Sequence, residues 1–487
     1  MVKKRTAVLL VILAMIIGGG AMLALTNYPI FASSGASSSA SASTGLSRVD
    51  MNKLNAAVRL IEDNYYKEVD HEKLVTGAIN GIVGSLEDPY SAYMPAEQAS
   101  EFNESIQGSF TGIGAEVELK NEQVTVISPI KGSPAEKAGV QAKDVLLSVD
   151  GESLAGLDLQ TAVSKIRGPK GSKVTVMIKR PGTQDPIKFE ITRSDIKLET
   201  VNARMEDGGI GIIEVTQFST NTGERFKEEL SKLEQKGMEG LVIDLRSNPG
   251  GLLDVVVDMS KEFVPKGSII VQEEERGVAR KVFRSSGTAK IKDYPVTVLI
   301  NGGSASASEI MAGALQESAG AKLLGENSFG KGTVQTSVPN ELGKGTLLKL
   351  TIAKWLTPDA EWIHEKGIKP DEKVSQPDYF TVAPINKEKT WKFDMNNESV
   401  KSAQVMLSGL GYDTKRKDGY FDAETKKQVQ AFQQAQKMTV SGMIDEKTAV
   451  ALEAATLEAI TDPANDTQLN RAIKELKQET LAPASNS

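Results

Sequence analysis

The stretch VTVLINGGSASASEIMAGAL (296–315) decides the fold class. VTVLI is a short apolar run rich in β-branched residues, the composition of a buried strand. NGG breaks it, and an alanine-rich helical run follows from about Ser306. Strand, tight turn and helix in that order make the unit of an α/β domain. The alternation extends both ways from this unit. Upstream, GIGIIEV (209–215) and LVIDL (241–245) read as strands, the second ending in the turn RSNPGG (246–251). Downstream come AKLLGENSFGKGTVQ (321–335), the strand LLKLTIAKW (347–355) and HEKGIKPD (364–371). An α/β core over residues 197–380 is expected.

The turn itself carries three serines at every second position, Ser304, Ser306 and Ser308. Ser306 and Glu309 match a capping box, and such serines commonly do nothing else. A side chain at the tip of a strand–turn–helix unit is, however, exposed beside outward-pointing N–H groups, the geometry of a nucleophile elbow. A serine nucleophile needs a base. The whole chain has two histidines, His71 and His364, and neither sits in a setting that suggests one. Serine–lysine pairs are a known alternative. Lys331, in SFGKGTVQ, is surrounded by glycine and apolar residues rather than carboxylates. Its pKa would have to fall from about 10.4 to roughly 7–8, a shift that desolvation can supply. Gln335 lies four residues on, and its amide would orient the lysine if the segment were helical.

Composition narrows the classes. The chain has 487 residues, enough for several domains, and a formal net charge of −7, which argues against nucleic-acid binding. It has no cysteine, so disulfides, thiolate metal sites and a cysteine nucleophile are excluded. Lys3, Lys4 and Arg5 precede AVLLVILAMIIGGGAMLAL (7–25), an uncharged run of membrane-spanning length. Residues 1–29 are therefore expected to anchor the chain in a membrane, with the rest exported; a cleaved signal peptide is the competing reading. The Ser/Ala tract within 30–47 reads as a flexible tether. Residues 48–104 are expected to be a helical segment, with Leu54, Val58, Ile61 and Tyr65 at helical spacing as a packing or dimer face. LEDPYSAYM (86–94) breaks that pattern at Pro89.

Over 105–196 the order is strand, strand, short helix, strand, helix, strand, carried by GSFTGIGAEVEL, QVTVISPI, SPAEKAG, DVLLSVDGES, LQTAVSKIRG and KVTVMIKR. These words resemble a PDZ domain, a β-sandwich-like fold with two helices. The added strand PIKFEITR (186–193) fits the permuted form found in bacterial proteases. The resemblance implies that Gly112, Ile113, Gly114 and Ala115 form the carboxylate-binding loop, whose backbone N–H groups would converge on a peptide C-terminus. Arg167, in IRGPKG, is a candidate sensor of that carboxylate, or simply a solvated loop arginine.

Residues 394–456 contain LSGLGY, DGYFDAET and VQAFQ, and resemble the small helical peptidoglycan-binding domain. DGYFDAET and SGMIDEKT echo one another, although Asp422 and Asp445 replace expected glycines and Ser441 an aspartate. Wall binding and docking or dimerisation are both open. Over 457–487, Leu469, Ile473 and Leu476 mark an amphipathic helix that packs on its own chain or grips a partner.

Taken in order, LEDPYSAYM, the PDZ, DLRSNPGG, SASASEI, SFGKGTVQ, LKLTIAKW and GIKPD closely resemble the carboxyl-terminal processing peptidases, the tail-specific Ser-Lys proteases of family S41, over residues 48–375. The resemblance implies an α/β multidomain protein: a Ser-Lys peptidase core with an inserted permuted PDZ, a helical N-terminal segment and a small helical C-terminal domain. By motif position the nucleophile is Ser306, the general base Lys331 and the residue placing it Gln335. The oxyanion hole would come from the N–H of Ala307 and of Gly250 or Gly251, with Asp244, Arg246 and Asn248 as scaffold or as plain turn residues. No cofactor or metal is implied. Expected partners are protein substrates with free C-termini, a second copy in a homodimer, and peptidoglycan. A non-catalytic envelope adaptor is the alternative, disfavoured by the intact Ser306, Lys331 and Gln335; a crotonase-like acyl transferase is disfavoured by the PDZ.

Overall fold

The computed structural model describes residues 45–120, 122–287 and 292–481. The apolar run at 7–25 and nearly all of the Ser/Ala tract lie outside the described residues. Among the described residues no helix is long and apolar enough to cross a membrane.

The chain divides after Ala78 into two units. The first holds α1 (Arg48–Asn64), whose start is capped by the Ser47 hydroxyl accepting the Asp50 N–H, and the beginning of α2 (His71–Gly84). α1 buries none of its residues within this unit, and Leu54, Ile61 and Tyr65 are exposed. His71 pairs with Glu62.

In the second unit the helical segment expected over 48–104 is interrupted where LEDPYSAYM breaks the pattern. Ala92–Met94 forms β1, an edge strand of a sheet built much later in the chain, before α3 (Ala96–Gln107) resumes the helix. The PDZ region follows: β2 (Ser109–Gly112), β3 (Ala115–Lys120), β4 (Gln123–Pro129), α4 (Pro134–Ala138), β5 (Val145–Val149), β6 (Glu152–Ser153), α5 (Leu159–Ile166), β7 (Lys173–Lys179), β8 (Ile187–Thr192) and β9 (Ser194–Lys197). Strands run in the order β3-β4-β5-β7-β8, with β6 on β5, and β2 pairs separately with β9. Alternate residues Val124 and Val126, and Val174, Val176 and Ile178, point into one core, as the period of two requires.

The α/β core is built from β10 (Val201–Glu206), β11 (Ile210–Val215), α6 (Thr222–Gln235), β12 (Gly240–Asp244), α7 (Leu253–Ser260), β13 (Ile269–Glu275), β14 (Lys281–Arg284), β15 (Val296–Ile300), α8 (Ala307–Ala319), β16 (Lys322–Gly325), β17 (Thr333–Pro339), β18 (Leu347–Leu356) and β19 (Glu372–Lys373). The main sheet has the order β10-β11-β12-β15-β16-β19 and is parallel except at β10. Both its faces are covered, which is why its strands read as nearly continuous apolar runs. On one face Ile213, Leu241, Ile243, Val298 and Ile300 pack with Phe226, Leu230 and Ile310. On the other, Ile210, Ile212, Val242, Leu299 and Leu324 meet Leu469, Ala472 and Leu476.

That second face is closed by the chain's last described helix. After the helical module α9 (Glu398–Gly409), α10 (Ala423–Ala435) and α11 (Glu446–Thr461), α12 (Thr467–Leu481) returns to the sheet. The α/β core is thus discontinuous in sequence, and α12 packs on its own chain. Arg246 at the end of β12 fastens it, pairing with Asp244 at 2.6 Å and Asp466 at 2.8 Å. In the helical module the echoed turns are equivalent. Asp422 and Asp445 cap α10 and α11, accepting the N–H of Thr425 and Thr448. The buried amides of Gln404 and Gln433 each donate to a turn carbonyl and accept a glycine N–H, of Gly419 and Gly442. The substituted aspartates therefore keep a structural task, capping helices.

Candidate active site

Three segments meet at the C-terminal edge of the parallel sheet, where open α/β sheets place their ligands. They are the turn after β12, the turn after β15, and the segment between β16 and β17. The nucleophile candidate sits on the second. Ser306 has φ +55° and ψ −112°, a region that non-glycine residues rarely occupy. The turn is held by its neighbours: Ser304 donates to Leu245 O, Ser308 donates to Asn248 O, and Ala305 N–H donates to Asn248 O. Ser304 and Ser308 are fully buried, whereas Ser306 is half-buried and reaches the lysine.

Lys331 Nζ lies 3.4 Å from Ser306 Oγ, 3.4 Å from Thr333 O and 2.5 Å from Gln335 Oε1. A neutral amine has two hydrogens and one lone pair, and the two carbonyl oxygens can only accept. They take the hydrogens and leave the lone pair to the serine hydroxyl. Burial, with the positive charge of Lys349, brings the Lys331 pKa down to about 8, although Glu309 and Asp88 pull the other way. The ring of Tyr90 also lies 5.1 Å from Nζ. Gln335 reaches the lysine from a strand, β17, and not from a helical turn as the four-residue spacing suggested. Its side chain is turned there by cross-strand register, not by helical pitch.

Glu309 does more than cap. The Ser306 N–H donates to Oε2 at 2.8 Å, completing the expected half of a capping box. The same carboxylate accepts Lys331 N–H at 2.9 Å, Gly330 N–H at 2.6 Å and Ser328 Oγ–H at 2.6 Å, and is fully buried. The serine and lysine segments are therefore fixed to one side chain. The sequence pattern S-x-x-E pointed to the residue but not to this reach.

The first and second turns supply candidate oxyanion donors. Ala307 begins α8 and is buried. Gly250 (φ +100°) must be glycine: a Cβ would stand 2.7 Å from Ala305 O and 2.9 Å from Ala307 N. Its N–H donates to Asn248 Oδ1 at 2.8 Å, while the buried Asn248 amide donates to Val215 O. Phe218 N–H donates to Gly250 O and Leu252 N–H to Phe218 O. Such a parallel bridge directs the N–H of Gly251 away from Phe218. His364 stacks on Trp362, and its Nδ1 is engaged by the Gly332 N–H at 3.3 Å.

In the PDZ region the structure buries Gly112, Ile113 and Gly114, and Ile113 O accepts the Ala135 N–H. A groove of about 1130 Å³ runs between α3, β2 and α5. Its walls include Phe110, Thr111, Leu159, Val163 and Arg167, but none of residues 112–115. Arg167 is no free loop arginine. It donates to Glu104 of α3 at 2.8 Å, lies over the Phe110 ring, and keeps a buried Nε without a partner. Glu104 carried no sequence signal.

Four family models match the chain: Peptidase family S41 over residues 209–374, PDZ domain over 125–180, Putative peptidoglycan binding domain over 396–452, and Activating protease CtpB N-terminal domain over 15–98. Among similar proteins, the carboxy-terminal processing protease CtpB of Bacillus subtilis (strain 168) is 48% identical over 429 residues, 88% of this chain and 89% of that protein. CtpA of the same organism is 44% identical over 439 residues, covering 90% and 92%. A probable CtpA-like serine protease of Staphylococcus aureus (strain N315) is 40% identical over 409 residues, covering 83% and 82%.

Proposed function

The chain belongs to peptidase family S41 as a carboxy-terminal processing serine protease with a PDZ domain, and from that premise we propose the roles of its residues and its place in the cell. Neutral Lys331 takes the Ser306 proton, and the alkoxide attacks the scissile carbonyl. The N–H groups of Ala307 and Gly251 hold the oxyanion; Gly251 is favoured over Gly250 because the latter's N–H is already given to Asn248. Protonated Lys331 returns its proton to the leaving amine, and water then attacks the acyl-enzyme with the lysine again accepting a proton. Gln335 Oε1 holds Nζ in place throughout. The observation that carries this reading is the placing of Lys331 Nζ between Ser306 Oγ and Gln335 Oε1.

The groove walled by Phe110, Leu159, Val163 and Arg167 receives the substrate's C-terminus; residues 112–115, the carboxylate loop expected by motif position, stand outside its walls. Arg167 senses the carboxylate, which competes with Glu104 for the guanidinium. Residues 7–25 anchor the chain, so the peptidase works outside the cytoplasmic membrane; the basic cluster Lys3, Lys4 and Arg5 supports that orientation. The exposed apolar stripe of α1 serves a homodimer, and the C-terminal module contacts peptidoglycan.

The test of the chemistry is cleavage of an unstructured peptide by the soluble fragment from residue 43, beside Lys331→Ala and an amidated copy of the peptide. Cutting lost with Lys331→Ala and weakened by amidation is expected. Cutting that survives Lys331→Ala would give the base to another residue. Protease shaving of intact cells tests the anchor: a tag after residue 481 should be removed from outside.

A further inference from the structure

LEDPYSAYM (86–94) is left without a task by the Ser306–Lys331–Gln335 site, yet it ends beside the lysine. Asp88 Oδ1 accepts the Tyr90 N–H at 3.0 Å and Oδ2 accepts the Ser91 hydroxyl at 2.6 Å, so the aspartate curls the chain into a turn. Ser91 Oγ also accepts the Thr351 N–H at 3.0 Å, and the next residues, β1, pair with β18. Thr351 is the β18 residue that pairs with Gln335 after a one-residue bulge. The turn is thereby pinned to the strand that neighbours Gln335, and it carries Tyr90 to the lysine.

Lys331 Nζ lies over the half-buried Tyr90 ring, 5.1 Å from its centroid. Tyr90 in turn meets His364 edge-on at 6.1 Å, and His364 stacks on Trp362 at 5.2 Å. This aromatic row is fastened to the lysine's own segment. His364 Nδ1 is engaged by the Gly332 N–H at 3.3 Å, and Trp362 Nε1 donates to Gly332 O at 2.9 Å. The buried Trp355 donates its Nε1–H to Lys331 O at 2.8 Å. The row is thus held at one end by β18, through Ser91, and at the other by the backbone of residues 331 and 332.

A ring beside an amine does two things. It fills space that solvent would take, and water favours the ammonium over the amine. Its π face also attracts an ammonium, though less strongly than water does, and gains little from a neutral amine. An aliphatic side chain of similar size would exclude water but leave the cation bare. We infer that Tyr90 is a positioning residue whose ring replaces water at the Lys331 amine. It keeps the lone pair free for Ser306 and gives the ammonium a face once the proton has moved from Ser306 Oγ to Nζ. The charged groups facing Lys331 are Lys349 of β18, Glu309 of α8 and Asp88. Burial pushes the Tyr90 phenol above its ordinary value, so it stays protonated where the lysine titrates. The inference rests on the catalytic reading above and extends it to a motif far away in sequence.

The experiment measures the pH profile of kcat/KM, the plateau kcat and Tm of the full chain on a peptide with a free C-terminus. The variants are Tyr90→Phe, Tyr90→Leu, Tyr90→Ala and Lys331→Ala. Tyr90→Phe keeps the ring face and should leave the midpoint in place and kcat within about twofold. Tyr90→Ala admits water and should move the midpoint up by about 0.5–1 pH unit. Tyr90→Leu keeps water out but removes the face, and should move it down by about as much. Plateau kcat should fall about 3- to 10-fold in both, part of the ~10²–10⁴ that a placed base supplies. A residue that merely packs would lower Tm or rate without moving the midpoint, so unmoved midpoints in Tyr90→Ala and Tyr90→Leu overturn the inference. Midpoints that move the same way in both overturn it too, as does a large loss in Tyr90→Phe. If Tyr90→Ala does not fold, the Tyr90→Phe and Tyr90→Leu pair decides. Activity surviving in Lys331→Ala would sink the catalytic reading and this inference together. Activity lost in Lys331→Ala, with wild-type profiles in the leucine and alanine variants of Tyr90, would sink only this one.

Discussion

Glu309 Oε2 accepts the backbone N–H of Lys331 at 2.9 Å, so the helix that follows Ser306 grips the turn that carries the lysine. The Ser306–Lys331 distance is set by this fully buried carboxylate as much as by either residue itself.

Glu309→Gln is accordingly expected to damage both stability and rate. An amide nitrogen would replace one oxygen and face N–H donors that no longer have an acceptor. Each such orphan costs about 1–3 kcal/mol. A fall in Tm with a drop in kcat is the expected pair of results; a variant with wild-type kcat would show that Glu309 only caps the helix.

The rate should follow Lys331. With its pKa near 8, the base is protonated and idle at pH 6. The ratio kcat/KM should therefore rise about tenfold per pH unit at the low end and level off above about 8. A profile flat from pH 6 to 9 would exclude Lys331 as the titrating base.

Stability should show the same lysine with the opposite economy. Its pKa is lower folded than unfolded, so folding is penalised fully below about pH 8, and the penalty fades as pH rises towards 10.5. Lys331→Met should thus be the more stable protein at pH 7, by at most about 3 kcal/mol. The advantage should shrink by pH 10.5, as denaturant melts at the two pH values would show.

Arg167→Ala should raise KM for peptides with a free C-terminus and leave amidated peptides nearly unchanged. The arginine lines the groove and is held by Glu104, a carboxylate that the peptide's own could replace. If amidation still weakens the variant's substrates as much as the wild type's, the carboxylate is read elsewhere in the groove.

Leu476→Ala should destabilise the peptidase core itself, by about 2–5 kcal/mol. Leu476 is 1% exposed and packs on the sheet beside Ile210 and Val242. Unchanged denaturant resistance would mean that α12 is a removable appendage.

Much of the site could be read in order along the chain, because a nucleophile turn is a local object. VTVLI followed by NGG and a helix start is enough to place Ser306 at the tip, and glycines around Lys331 announce a lysine without a carboxylate partner nearby. The Asn-Pro-Gly-Gly turn likewise depends on backbone conformations that glycine alone adopts freely, such as φ +100° at Gly250. The helix imagined for Gln335 shows where local spacing misleads: a separation of four residues also occurs on a strand, and nothing local distinguishes the two when the partners are distant.

The sequence by itself determined the α/β alternation, the PDZ order and the family, and singled out Ser306 and Lys331 as the candidate pair, since periodicity, turn chemistry and motif words are carried by neighbouring residues. The tertiary structure alone decided what joins them. It brought α12 back to close the sheet, set Glu309 across two turns, and slipped the β17–β18 register by one residue so that Thr351 meets Gln335. Those relations depend on which strands lie side by side and in what register, and pairing between distant segments leaves no periodicity in either one.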